Sequence, residues 1–305
     1  MYRTILVPLD GSEVAECVLP HVQALIRADQ KINIALLYVV EALDTPFTDP
    51  SFKIKIESEA RSAADKYLNS VRSRINYSGT IRCEVVVDKP ADSIIDCSNK
   101  QNIDLILMAT HGRSGVDKWI RGSVADKVIR ASQIPVWLVQ ACAAENDMYD
   151  KWPKITVLVP LDGSDIAASA IEQAETLARQ LGNNNVEIVI IRVCELFSQP
   201  HQYPPHMSMS WEEHVNYETK RCTDICTEYV RDVEKKLKEQ GFNVRSEVLT
   251  GEVADKIADY ANTNPINLIV MSTHGRSGIG RWAFGSITEK VLATAKRPIL
   301  LIRHR

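Results

Sequence analysis

What this chain has little of removes several classes of answer. No apolar run approaches the roughly 20 residues that a membrane-spanning helix needs. The start, Met1-Tyr2-Arg3-Thr4, leads straight into a strand pattern, without the apolar core and small-residue cleavage site of a signal peptide. Positive charge is not in excess: the net charge is −3, so neither nucleic acid nor a membrane is expected as a partner. Seven cysteines, an odd number at scattered spacings, read as reduced thiols rather than a disulfide framework. Together these features lead us to expect a cytoplasmic protein. There is also no Gly-x-x-x-x-Gly-Lys-Ser/Thr loop and no kinase-like set of loops, so the parts of an efficient phosphoryl-transfer enzyme are missing.

What is present is a repetition. Thr110-His111-Gly112-Arg113-Ser114-Gly115, followed by Gly122-Ser123, recurs as Thr273-His274-Gly275-Arg276-Ser277-Gly278, followed by Gly285-Ser286. Ile5-Leu6-Val7-Pro8-Leu9-Asp10-Gly11-Ser12 likewise recurs as Val157-Leu158-Val159-Pro160-Leu161-Asp162-Gly163-Ser164. The offset is 152 between Asp10 and Asp162 but 163 between His111 and His274, so eleven extra residues lie in the second copy. The Pro/His/Met-rich run from Ser198 to Ser210 is the place expected for them. The period is too long for a solenoid. We expect two complete domains, residues 1–143 and 152–305, joined by a polar link around Ala144 to Lys151.

Within each copy, short aliphatic runs alternate with amphipathic stretches. Strands are expected at Thr4–Leu9, Ile32–Val40, Ile81–Val87, Ile103–Ala109 and Pro135–Val139, and helices near Glu13–Ala28, Ile54–Ile75, Asp92–Lys100 and Ser123–Ser132. The second copy has strand candidates at Ile155–Leu161, Val186–Val193, Val244–Leu249, Leu268–Ser272 and Ile299–Ile302. Continuous apolar runs suit strands buried on both faces of a parallel sheet. The fold class expected is therefore α/β, two tandem doubly wound five-stranded parallel-sheet sandwiches of Rossmann-like type. If the fourth strand returns to the far side of the first, the loops after strands one and four face each other across the crevice where such folds bind ligands.

Those two loops carry the repeated motifs. Gly112 and Gly115 remove side chains where a backbone must turn or approach a ligand. Gly122-Ser123 opens a helix whose first amides lack partners and whose dipole favours an anion, which suits phosphate. Arg113 and Arg276 would neutralise its charge. Asp10 and Asp162 have two readings: a cap for the next helix, or a carboxylate that accepts hydrogen bonds from a ribose hydroxyl or an adenine amino group.

With these motifs in place, the chain resembles a tandem universal stress protein over nearly its whole length. The family's nucleotide signature is Gly, two residues, Gly, nine residues, then Gly-Ser or Gly-Thr. Gly112 and Gly275 match its second glycine, and Gly122-Ser123 and Gly285-Ser286 match its end, while Ala109 and Ser272 replace its first glycine. The resemblance implies ATP as ligand, with magnesium, and a signalling role in the stress response read by partner proteins. It implies that Pro8, Leu9 and Asp10, with Pro160, Leu161 and Asp162, contact the adenosine, and that Val39 and Val193 line the adenine pocket. Met108, Ala109, His111, Gly112, Arg113 and Gly115, with Met271, Ser272, His274, Gly275, Arg276 and Gly278, would wrap ribose and phosphates. Gly122, Ser123 and Val124, with Gly285, Ser286 and Ile287, would hold the triphosphate. It also implies pairing of the last strands, so that the two halves form an internal pseudo-dimer, and it allows two chains to associate further into a homodimer. The rival readings are a nucleotide-free interaction module and a weak ATPase or autophosphorylating protein using His111 or His274.

Three features stand outside this scheme. Cys222 and Cys226 stand four apart in an expected helix, a spacing that puts two soft ligands on one face, with His201, His206 and His214 nearby in the sequence; helix filling is the plainer reading. Trp119 and Trp282 occupy matching positions and read as loop anchors. The Ser198–Ser210 insertion reads as a solvated loop or a flap over the second site.

Overall fold

A computed structural model of the chain describes residues 1–42, 49–110, 122–140, 154–195, 209–273 and 285–303. In chain order the first lobe comprises β1 (Thr4–Leu9), α1 (Glu13–Glu16), α2 (Leu19–Ala28), β2 (Asn33–Glu41), α3 (Pro50–Arg74), β3 (Ile81–Asp88), α4 (Pro90–Lys100), β4 (Leu105–Ala109), α5 (Ser123–Ala131) and β5 (Val136–Val139). The second comprises β6 (Ile155–Pro160), α6 (Asp165–Leu181), a 3-10 turn (Asn183–Asn185), β7 (Val186–Cys194), α7 (Trp211–Glu239), β8 (Asn243–Thr250), α8 (Val253–Thr263), β9 (Leu268–Ser272), α9 (Ser286–Thr294) and β10 (Ile299–Ile302).

All ten strands belong to one sheet, in the order β3-β2-β1-β4-β5-β10-β9-β6-β7-β8. Within each lobe neighbouring strands are parallel, and each is reached through a helical crossover. The central strands β4 and β9 are buried at every position, as burial on both faces requires. Where the lobes meet, β5 and β10 pair antiparallel, Ile299 opposite Leu138, Leu300 opposite Trp137 and Leu301 opposite Val136. These strands are the two apolar edge candidates of the sequence, and each covers the other's open edge.

Alternation along the strands divides the interior into two layers, each continuous through the junction. Ile5, Val7, Trp137, Leu300, Val157 and Val159 share one layer, whereas Leu6, Leu138, Ile299 and Leu158 share the other. Side chains bind the lobes further. Gln180 of α6 accepts from the Tyr2 backbone N–H at 3.1 Å and donates to the Tyr2 carbonyl at 2.8 Å, so a buried amide satisfies both groups of a chain end outside any ladder.

The single helix expected over Glu13–Ala28 is two. Pro20 lies in the first turn of α2, and its missing N–H and bulky ring oppose continuation from Glu16. Position 172, the repeat equivalent, carries glutamate, and α6 runs unbroken for 17 residues. Helix α3 begins ahead of the expected Ile54, because the Asp49 carboxylate caps it by accepting from Ser51 N and Phe52 N. Helix α7 begins with a capping box between Ser210 and Glu213.

The reading of all cysteines as free thiols is corrected at one place. Cys194, the last residue of β7, is disulfide-bonded to Cys222 in α7, with their Cα atoms 6.0 Å apart. Their separation of 28 residues carried no hint that a strand end and a helix face converge there. Cys222 therefore faces Cys194 rather than acting as half of a helical ligand pair with Cys226.

Candidate functional site

Strand order reverses beside β1, with β2 on one side and β4 on the other, so the ends of β1 and β4 lie side by side at one crevice. The β1 loop is built locally. Asp10 Oδ1 accepts from Ser12 N at 3.0 Å and from Ser12 Oγ at 2.6 Å, and Ser12 Oγ in turn accepts from Ala15 N at 3.1 Å to cap α1. Gly11 between them has φ +85°, a left-handed turn that favours glycine. The second lobe repeats each step: Asp162 Oδ1 accepts from Ser164 N and Oγ at 2.9 and 2.6 Å, and Gly163 has φ +83°. The cap of each following helix is thus the serine, Ser12 or Ser164, and the aspartate braces it.

The first lobe opens a cavity of about 1090 Å³ at this point. Pro8, Leu9 and Asp10 line it from β1, Val39 from β2, Met108 and Ala109 from β4, and Gly122, Ser123 and Val124 from the start of α5. Residues separated by more than a hundred positions are thereby brought to one space. His111, Gly112, Arg113, Gly115 and Trp119, with His274, Gly275, Arg276, Gly278 and Trp282, lie outside the described residues. So do the Ala144–Lys151 link and the insertion through residue 208.

Ala109 and Ser272, which stand at the first signature glycine, are the closing residues of β4 and β9. Extended backbone accepts any residue there, and neither has positive φ. Gly122 does not offer its own N–H to a ligand, because that group donates to Thr110 O at 3.0 Å, as Gly285 N does to Thr273 O. The amides that an α-helix start leaves without intrahelical partners are those of the residues that follow, beginning with Ser123 and Val124.

Other lining residues escaped the motif search because they belong to no motif. Ala60 and Ala64 of α3 leave room by being small, and Lys89 and Lys127 bring positive charge. Tyr67 packs edge-on against Tyr38 at 5.8 Å and donates to Glu16 Oε1 at 2.9 Å. Glu16 is also bonded to Arg74 at 2.7 Å, which holds its carboxyl below the usual range, while burial and the Glu16 carboxylate push the Tyr67 hydroxyl up.

The second lobe places Pro160, Leu161, Asp162, Val193, Met271, Ser272, Gly285, Ser286 and Ile287 at the same stations in the fold. Strand register matches Tyr38 with Arg192, since Leu6 lies opposite Ala35 and Leu158 opposite Val189. The Arg192 guanidinium lies 4.7 Å over the Tyr229 ring, a cation on an aromatic face. It also crowds the β6 loop: a Cβ at Gly163 would stand 3.1 Å from Arg192 Nη1. Lys89 becomes Glu252. Lys290, the counterpart of Lys127, is bound to Asp255 at 2.8 Å, and this bond with the nearby carboxylates raises its pKa. The two lobes are alike in backbone and unlike in what their crevices hold.

Comparison with known proteins agrees with this geometry. The model of the universal stress protein family matches residues 1–140 and again residues 155–303. The chain belongs to that family, with two copies of its domain. A universal stress protein of Methanocaldococcus jannaschii, MJ0531, is 27% identical over 147 residues, covering 48% of this chain and 81% of that protein. Universal stress protein MT2061 of Mycobacterium tuberculosis is 22% identical over 235 residues, covering 74% of this chain and 70% of its own. The crystal structure of a universal stress protein from Archaeoglobus fulgidus superposes with a TM-score of 0.71 at 21% identity, covering 98% of both chains. That likeness extends to the whole two-lobed fold. No helix among the described residues is long and apolar enough to cross a membrane.

Proposed function

We propose that this chain binds an adenine nucleotide, ATP foremost, in the first lobe, and that occupancy is a signal read by partner proteins in a cytoplasmic stress response. The observation that carries the reading is the cavity of about 1090 Å³ that joins the Asp10 turn to the first turn of α5. Its size is that of a small-molecule site. Its lining supplies the groups that a nucleotide needs. Val39, Leu37 and the alanines of α3 offer an apolar slot for a base, Asp10 offers a carboxylate for ribose hydroxyls, and the α5 start with Lys89 and Lys127 offers positive charge for phosphates. Magnesium would accompany the phosphates.

The second lobe is the poorer site. Arg192 stands against its β6 loop, Glu252 replaces a lysine, and Lys290 is already paired with Asp255. A triphosphate approaching that crevice meets less free positive charge. We therefore expect one strong site per chain. Isothermal titration with ATP, ADP, AMP and cyclic AMP tests this: the expected result is a stoichiometry of one, with ATP preferred. Millimolar or absent affinity for all four would favour the rival, an interaction module that uses these loops only to present a surface.

A further inference from the structure

We propose that the second lobe carries a thiol–disulfide exchange site, formed by Cys194, Cys222 and Cys226, that reversibly clamps α7 to the end of β7. Three observations converge. Cys194 is bonded to Cys222, and the Cys226 Sγ lies 4.0 Å from the Cys222 Sγ, so all three sulfurs meet in one place. Cys194 and Cys226 are buried, whereas Cys222 is half-buried and the most exposed residue of the three.

The third observation is where they sit. Strand register equates Cys194 with Val40, and the buried spine Cys226, Val230 and Leu237 of α7 repeats Ala64 and Leu68 of α3 and Ile75 at its C-cap, which equates Cys222 with Ala60. Val40, Ala60 and Ala64 all line the cavity of the first lobe. Three of the seven cysteines thus occupy the corresponding rim in the second. Small residues leave space there in one lobe. Sulfur fills it in the other.

The chemistry is a two-electron exchange with low-molecular-weight disulfides and thiols of the glutathione class. In the reduced site, the Cys222 thiolate attacks one sulfur of the small disulfide, forming a mixed disulfide and releasing one thiol. The Cys194 thiolate then attacks the Cys222 sulfur and releases the second. Two protein thiols are oxidised, one small disulfide is reduced to two thiols, and the two protons pass to the leaving thiolates. Cys226 stands in reach of the same Cys222 sulfur, so its thiolate offers a second route that displaces Cys194 and speeds exchange. Closing the bond ties the strand end to the helix across the 28-residue separation that contains the insertion. Neither step of the exchange requires a bound nucleotide.

The test uses the full chain, equilibrated with a graded series of reduced and oxidised glutathione, approached from both directions, quenched in acid, alkylated and weighed intact. The expected result is a reversible step from seven modified cysteines to two fewer, with peptide mapping joining Cys194 to Cys222. Seven modified cysteines at every ratio, or a bond between other residues, would overturn the proposal. Cys226→Ser is expected to keep the step while slowing its approach to equilibrium by about five-fold; an unchanged rate would remove Cys226 from the site. Hydrogen exchange on the wild type needs no variant to fold. Reduction should quicken exchange in the N-terminal half of α7 and leave α3 untouched, whereas equal exchange in both states would refute the clamp.

Discussion

The backbone N–H of Gly122 donates to the Thr110 carbonyl at 3.0 Å, and Gly285 makes the same bond to Thr273. The end of β4 and the start of α5 are thus fixed to each other, and α5 is aimed at the crevice by a backbone bond. Gly122 has φ −55°, which proline accepts, so Gly122→Pro removes the donor. Loss of this bond should cost about 1 kcal/mol of stability and weaken ATP binding. Gly285→Pro should cost about the same in stability and leave ATP binding unchanged, because the first lobe holds the strong site. Urea unfolding and titration calorimetry on both variants check this pair.

The alanines of α3 are expected to matter by their size. Ala60→Leu adds bulk to the wall of the first-lobe cavity, where Ala60 is only partly buried and no core neighbour is displaced. Affinity for ATP should fall by at least about ten-fold, the effect of filling space that a ligand needs, with thermal stability nearly unchanged. A matching loss of stability would instead show that the substitution disturbs the core.

The two glycines of the aspartate turns separate backbone strain from crowding. Alanine at Gly11 takes a left-handed φ of +85°, a cost of about 1–2 kcal/mol. Alanine at Gly163 takes the same conformation and also meets Arg192 Nη1 at 3.1 Å. Gly163→Ala should therefore be the more destabilising. Measured in an Arg192→Ala background its cost should fall back to that of Gly11→Ala, which denaturant unfolding of the wild type, the three single variants and the double variant can measure.

Much of this architecture is legible in the residues. Five apolar runs per copy mark the strands, and the repeated Leu-Asp-Gly-Ser and Gly-Ser motifs mark the loops that meet. The split between α1 and α2 was legible too, in Pro20, but the amphipathic pattern runs through it. Other features depend on partners that sequence distance conceals. Matching the two copies by motif shows their likeness and hides Tyr38 against Arg192, Lys89 against Glu252 and Ala60 against Cys222, since none of these lies in a motif. Only strand register and the helix spine align them. The bond between Cys194 and Cys222 is of the same kind, a contact made by the meeting of a strand end and a helix face.

The β5–β10 pairing predicts the behaviour of a half-chain. Residues 1–143 alone would present Val136, Trp137, Leu138 and Val139 on an open edge, and all four are buried in the full chain. A bare apolar edge pairs with whatever strand is available. The fragment should run as a dimer in sedimentation, and a monomer at the same concentration would show that the bare edge does not associate.

His21 predicts how stability depends on pH. It is buried in α2, with its ring 5.6 Å from Trp137 of β5, and burial lowers its pKa to about 3. In the unfolded chain it titrates near 6.5. Between these values the unfolded state binds a proton that the folded state does not, so stability falls as pH drops below about 6.5, by up to about 1.4 kcal/mol per unit. Carboxylates held low in the folded state, such as Glu16 beside Arg74, lose their contribution only at lower pH. The window from about pH 7.5 to about pH 5 therefore lies above the carboxylates. His21→Gln should flatten the slope of unfolding free energy there, and a wild-type slope in the variant would assign the effect to another group.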